Sequence, residues 1–138
     1  FKRSIVEVSG GQPLIHSLKD VPHGKISYRY YTSRTLNRTR QLLVYTPPGF
    51  NPDQKNKYPV LYLIHGGSDT EETWTKVGRA HLIADNLIAA GKARPMIIVM
   101  PYGNVRPSTM ADFTKDVVND IIPFIEANYP VVADSKGR

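Results

Sequence analysis

The spacing of hydrophobic positions changes several times along the chain, and each change predicts an element. Residues 25–33 (KISYRYYTS) alternate and are rich in β-formers, which predicts a strand. A turn around Asn37 and a second strand over 40–46 (RQLLVYT) complete a hairpin, which Pro47-Pro48-Gly49 ends. Residues 59–64 (PVLYLI) form a continuous apolar run, the habit of a strand buried on both faces in a parallel sheet. His65-Gly66-Gly67 stops that run abruptly. Val77, Ala80, Ile83, Ala84, Leu87 and Ile88 share one helical face, predicting a helix over 76–90, and Gly91 suits its left-handed C-terminal cap. Residues 95–100 (PMIIVM) predict a second buried strand, ended by Pro101. Strand, helix and strand over 59–100 imply a parallel pair joined by a right-handed crossover. After an irregular loop over 102–110, helical spacing returns at Phe113, Val117, Ile121 and Ile125. Thr109 to Asp112 fit a capping box, as do Ser68 to Glu71 ahead of the first helix. Pro123 lacks a backbone donor and predicts a kink or a restart of the last helix. Residues 131–138 read as a loop.

These elements define an α/β class: an antiparallel hairpin leading into a parallel sheet with crossover helices. Gly10-Gly11, Pro13 and Pro22 break any period near the start, so residues 1–20 are expected to be a linker or lead-in from a preceding module. Both buried strands want neighbours on each side, and another strand is due after the last helix. Residues 21–138 are therefore expected to be the N-terminal part of a larger domain. Its C-terminal remainder is the expected partner, either continuous with this chain or supplied as a second one.

Composition narrows the function classes. An apolar content of 41% and eight tyrosines exclude a disordered chain, and the absence of cysteine excludes disulfides and thiolate-bound metals. No apolar run approaches the ~20 residues of a membrane span, so no membrane partner is expected. The net charge is +6, and Lys19, Lys25, Arg29, Arg34, Arg38 and Arg40 crowd one stretch with a single acid, Asp20. Such a patch fits nucleic acid or a solvated strand face that discourages edge pairing. No recognition helix, aromatic platform or Gly-rich phosphate loop accompanies it, so no nucleic-acid partner is expected. Asn37-Arg38-Thr39 matches a glycosylation acceptor, a signal only three residues long.

The chemistry-bearing residues form a partial site. No Gly-x-Ser-x-Gly elbow occurs in the 138 residues. His16, His23, His65 and His81 are not spaced with carboxylates as metal ligands, so neither metal nor cofactor is expected. His65-Gly66-Gly67-Ser68-Asp69 directly follows a buried strand. A glycine there can turn with positive φ and let a carbonyl oxygen approach the backbone N–H, as an oxyanion hole requires. It equally fits a plain strand-ending turn. His65 reads either as a general base or as a residue that shapes the loop. Trp74 reads as a pocket wall or as core. Asn104 and Arg106 lie beyond the second buried strand, where α/β ligands bind, and read as substrate contacts or as solvated loop.

The chain resembles the N-terminal half of carbohydrate esterase family 1 enzymes, the esterase D-like branch that includes feruloyl and acetyl xylan esterases. The resemblance rests on TPPGF, LYLIHGG, ADNLIAAGK and IIPFIEANYP in this order and covers most of residues 21–138. It implies an α/β-hydrolase fold and a serine esterase acting on feruloyl or acetyl esters of plant cell-wall xylan. It implies that the amide of Gly67 is half of an oxyanion hole, that His65 and Gly66 shape that loop, and that Trp74 is a structural residue near it. The nucleophile, acid and base of the triad are then expected outside this chain. The family's polymeric substrates imply an ester-decorated polysaccharide or oligosaccharide as partner and a secreted or periplasmic location. The alternatives are a non-catalytic carbohydrate-binding or interaction relative, and another acyl-ester or thioester hydrolase on the same scaffold.

Overall fold

The computed structural model describes residues 10–11, 14–55 and 57–134. Much of the expected lead-in, together with 135–138, lies outside them. The elements in order are β1 (Lys25–Ser33), β2 (Arg38–Thr46), β3 (Val60–Tyr62), α1 (Thr73–Lys76), α2 (Ala80–Ala89), β4 (Ile97–Pro101), α3 (Met110–Asp116), a π-helical turn (Val117–Ile121) and α4 (Ile122–Asn128).

The strands form one sheet in the order β1-β2-β4-β3. β1 and β2 pair as the expected hairpin, with Tyr31 opposite Arg40, and Asn37 takes the left-handed conformation (φ 50°) at the turn. β2 runs antiparallel to β4, and β3 runs parallel to β4. β2 and β4 are central; all of β4 and the stretch 42–46 of β2 are buried. Their alternate residues feed two cores on opposite faces. One face gathers Leu42, Val44, Val60, Ile97 and Val99 under Phe113, Ile121 and Ile125. The other gathers Leu43, Tyr45, Ile98 and Met100 under Ala84, with Trp74 packed against them.

Four expectations need correction. β3 is shorter than its apolar run and is not buried on both faces, since Leu61 and Ile64 are 43% and 41% exposed. It is the sheet edge among the described residues. Residues 131–134 are not all loop: Val131 is buried and forms a parallel bridge to Tyr58, just ahead of β3. The helix over 76–90 is broken, because Arg79 takes a left-handed conformation (φ 49°) between α1 and α2 and leaves Val77 exposed. Gly78 stands at the break, where a Cβ would come within 2.8 Å of the Trp74 ring. The capping box at Ser68–Glu71 does not form, because α1 starts at Thr73 with no side-chain cap.

Other local signals hold. Thr109 and Asp112 make the capping box of α3. Gly91 (φ 66°) caps α2, with its own N–H on the Ile88 carbonyl and that of Lys92 on the Leu87 carbonyl, a Schellman motif. Pro123 sits in the first turn of α4, where the missing donor is harmless, and the π-helical turn precedes it.

Candidate functional site

Because β3 and β4 run parallel, the loops that leave their C-terminal ends lie side by side. Between them is a cleft of about 350 Å³ lined by Ile64, His65, Gly66, Gly67, Asn104 and Arg106, among others. The two loops are joined through His65. Its Nε2 accepts the N–H of Gly103 (2.8 Å), so its Nδ1 carries the proton and donates to the Gly66 carbonyl (2.7 Å). One neutral tautomer satisfies both contacts, and neither ring nitrogen is left for a substrate.

Gly66 and Gly67 do not carry the positive φ expected of them; Ser68 does (φ 67°). At Gly67 a Cβ would meet nothing within 4 Å, so the packing of the described residues does not itself require glycine there, and among the described residues its N–H has no hydrogen-bond partner. Trp74 is not in this cleft. Its indole N–H donates to the Ile64 carbonyl (3.2 Å), fixing the end of β3, and its ring lines an apolar groove of about 330 Å³ between β3 and α2. Asn104 does line the cleft, and its Oδ1 accepts the N–H of Arg106 (3.2 Å).

The loop after β4 is held by two arginines from β2. Arg40 donates from Nη1 to the carbonyl of Asn104 (3.2 Å) and from Nη2 to that of Tyr102. Arg38 donates from Nη2 to the carbonyl of Val105 (2.7 Å) and from Nη1 to that of Arg106 (3.1 Å). Arg40 is 6% exposed, and its Nε lies 3.3 Å from the Tyr31 hydroxyl and 3.6 Å from Asp116 Oδ2. The Tyr31 hydroxyl donates to the same oxygen of Asp116 (2.7 Å). Burial and then the neighbouring Asp116 carboxylate push the Tyr31 hydroxyl pKa far up, so it remains a donor. Part of the basic stretch is therefore neither a nucleic-acid patch nor a solvated face. Its one signal in the sequence is parity: Arg38 and Arg40 fall on the same strand face as the buried Leu42 and Val44.

No group of three His, Asp or Glu side chains among the described residues has metal-binding geometry. No described helix is long and apolar enough to cross a membrane.

The strand order, the β3 loop and the cleft beside it define the N-terminal portion of an α/β-hydrolase fold. The Esterase family model matches residues 33–137, and the chain belongs to that family. The endo-1,4-beta-xylanase/feruloyl esterase of Xylanibacter ruminicola is 37% identical over 131 residues, covering 87% of this chain and 18% of that protein. Endo-1,4-beta-xylanase Y of Acetivibrio thermocellus is 34% identical over 113 residues, 81% of this chain and 10% of that one. Among solved structures, a mutant of the feruloyl esterase module of Clostridium thermocellum, complexed with sinapinate, superposes with a TM-score of 0.77 at 30% identity. That match covers 99% of this chain and 48% of the module, so the chain spans about half of its solved relative and much less of the curated ones. The resemblance to carbohydrate esterase family 1 read from the residues is borne out.

Proposed function

We propose that this chain supplies the oxyanion side of a serine esterase that hydrolyses feruloyl or acetyl esters on xylan. The observation that carries the proposal is the unbonded N–H of Gly67, among the described residues, at a cleft in the loop after β3. In this reading the substrate carbonyl oxygen, turning anionic as a serine attacks, takes the Gly67 N–H as one of its two donors. Sequence outside these 138 residues supplies the second donor and the serine, histidine and acid. Asn104 contacts the substrate from the opposite loop. Trp74 acts on the site through the Ile64 carbonyl rather than by touching the acyl group.

The rest of the domain docks on the bare edge of β3 and over the adjoining apolar groove. Exposed Leu61 and Ile64, and the start of parallel pairing between Val131 and Tyr58, support that placement. An ester on a cell-wall polymer implies an enzyme that works secreted or in the periplasm.

The test is hydrolysis by the full-length protein that contains this chain, with methyl ferulate and acetylated xylan as substrates. Release of ferulate or acetate is expected. Binding of xylan with no release of either acid, or turnover of thioesters alone, would overturn the proposal in favour of a carbohydrate-binding relative or a different acyl hydrolase.

A further inference from the structure

The guanidinium of Arg40 makes no hydrogen bond to His65 or Gly67, yet two of its nitrogens reach the loop that holds His65. Two of its nitrogens hold the carbonyls of Tyr102 and Asn104, the residues on either side of Gly103. That grip sets the direction of the Gly103 N–H, which is the donor that fixes His65 in a single tautomer. The proton thereby placed on Nδ1 goes to the Gly66 carbonyl, in the peptide unit whose nitrogen belongs to Gly67. A second path runs through a ring. Tyr102 lies between the two side chains, with the Arg40 guanidinium 5.7 Å from its centroid and the His65 ring 5.8 Å away on centroids. Behind Arg40, Asp116 and Tyr31 keep the guanidinium from rotating.

From this geometry we infer that Arg40 is a positioning residue for the Gly67 amide, acting through Gly103 and His65. The inference rests on the esterase reading for its consequence in catalysis, but the linkage itself does not. A planar fork is needed, because two carbonyls must be held at once while a third nitrogen faces Tyr31 and Asp116. A lysine keeps the charge beside Asp116 and loses the fork. The peptide carrying the Gly67 N–H then keeps only the Asp69 N–H on its Gly66 carbonyl (3.3 Å), and a misaligned oxyanion donor acts on the transition state far more than on ground-state binding.

The experiment uses the full-length protein with Arg40→Lys. With methyl ferulate, kcat is expected to fall about 10- to 100-fold while KM stays within about twofold. In ¹⁵N-histidine spectra, His65 is expected to change from one fixed tautomer, protonated at Nδ1, to averaged ring-nitrogen shifts. Tyr102→Leu removes only the intervening ring, leaves the buried ion pair in place, and is expected to shift the same signals; it carries the test if Arg40→Lys does not fold. An unchanged His65 spectrum in a folded variant overturns the linkage, whatever happens to the rate. A shifted spectrum with unchanged kcat overturns the catalytic role. If the unaltered protein hydrolyses no ester, the esterase reading and the catalytic role fail together, and the spectrum still decides the linkage.

Discussion

Both faces of the sheet fasten a helix to a strand with the same device, a buried aspartate that accepts a tyrosine hydroxyl. On one face Asp116 of α3 takes Tyr31 of β1 at 2.7 Å; on the other Asp85 of α2 takes Tyr45 of β2 at 2.6 Å. The aspartates are 0% and 1% exposed. They differ in what else they hold. Asp116 faces the guanidinium of Arg40, so its pin reaches the loop that borders the cleft. Asp85 accepts the Gly24 N–H and a hydrogen bond with His23 Nδ1, both 2.9 Å, so its pin ties down the segment ahead of β1. Asn86, next on α2, adds two donors to the carbonyls of Ile15 and Ser17. One pin reaches the loop that borders the cleft, and the other fastens the segment ahead of β1. The difference lies in whether the third partner is a buried permanent cation or a half-buried imidazole with a backbone amide.

Removing each aspartate breaks that comparison open. Asp116→Ala strands the buried Arg40 charge and is expected to destabilise the protein by about 3–5 kcal/mol, read by urea denaturation. It should also loosen the loop over 102–106, giving faster amide exchange at Gly103. Asp85→Ala leaves a buried hydroxyl and one backbone amide without an acceptor, while His23, 38% exposed, turns to water. Its expected cost is smaller, about 2–3 kcal/mol, and amide exchange should rise at Gly24 with none at Gly103. Equal costs and the same exchange pattern in both variants would erase the distinction.

A smaller effect separates the faces by pH. His81 lies near Asp85, and burial lowers its pKa below the ordinary 6.5, opposed by the Asp85 carboxylate and reinforced by His23. Its Nδ1 is buried and has no partner among the described residues. The unfolded chain then takes up a proton before the folded one does. Stability from this group is intact above about pH 6.5 and is lost as pH falls toward the lower folded value. His81→Gln should flatten that acid limb of the stability curve, measured as Tm between pH 7 and 5. An unchanged limb would assign the acid loss to other groups.

Much of this was legible in the sequence. Alternation gave the hairpin, and turn chemistry placed Asn37, Gly91, Thr109 and Pro123 correctly, because each is a local backbone requirement. The loop over 64–69 was legible as a candidate for the same reason: a strand must end at His65-Gly66-Gly67. Tertiary effects were not legible. The helix breaks where Arg79 turns left-handed, and the Trp74 ring packs where a Cβ on Gly78 would stand, a contact between turns that spacing alone does not show. β3 stands at the sheet edge with Leu61 exposed, and an apolar run does not say which neighbour covers it. Arg38 and Arg40 looked like solubilising charge, since nothing local reveals four backbone carbonyls arriving from residues 102–106. The two aspartate pins join residues 85 and 40 positions apart, beyond the reach of any periodicity.

The most direct test of the central claim is a crystal structure of the full-length protein after reaction with an alkyl phosphonate ester, whose tetrahedral adduct mimics the ester transition state. The phosphonyl oxygen is expected about 2.7–3.1 Å from the backbone nitrogen of Gly67, with the His65–Gly103 hydrogen bond intact. An adduct whose oxygen is held by other donors, with the Gly67 amide turned away, would contradict the account.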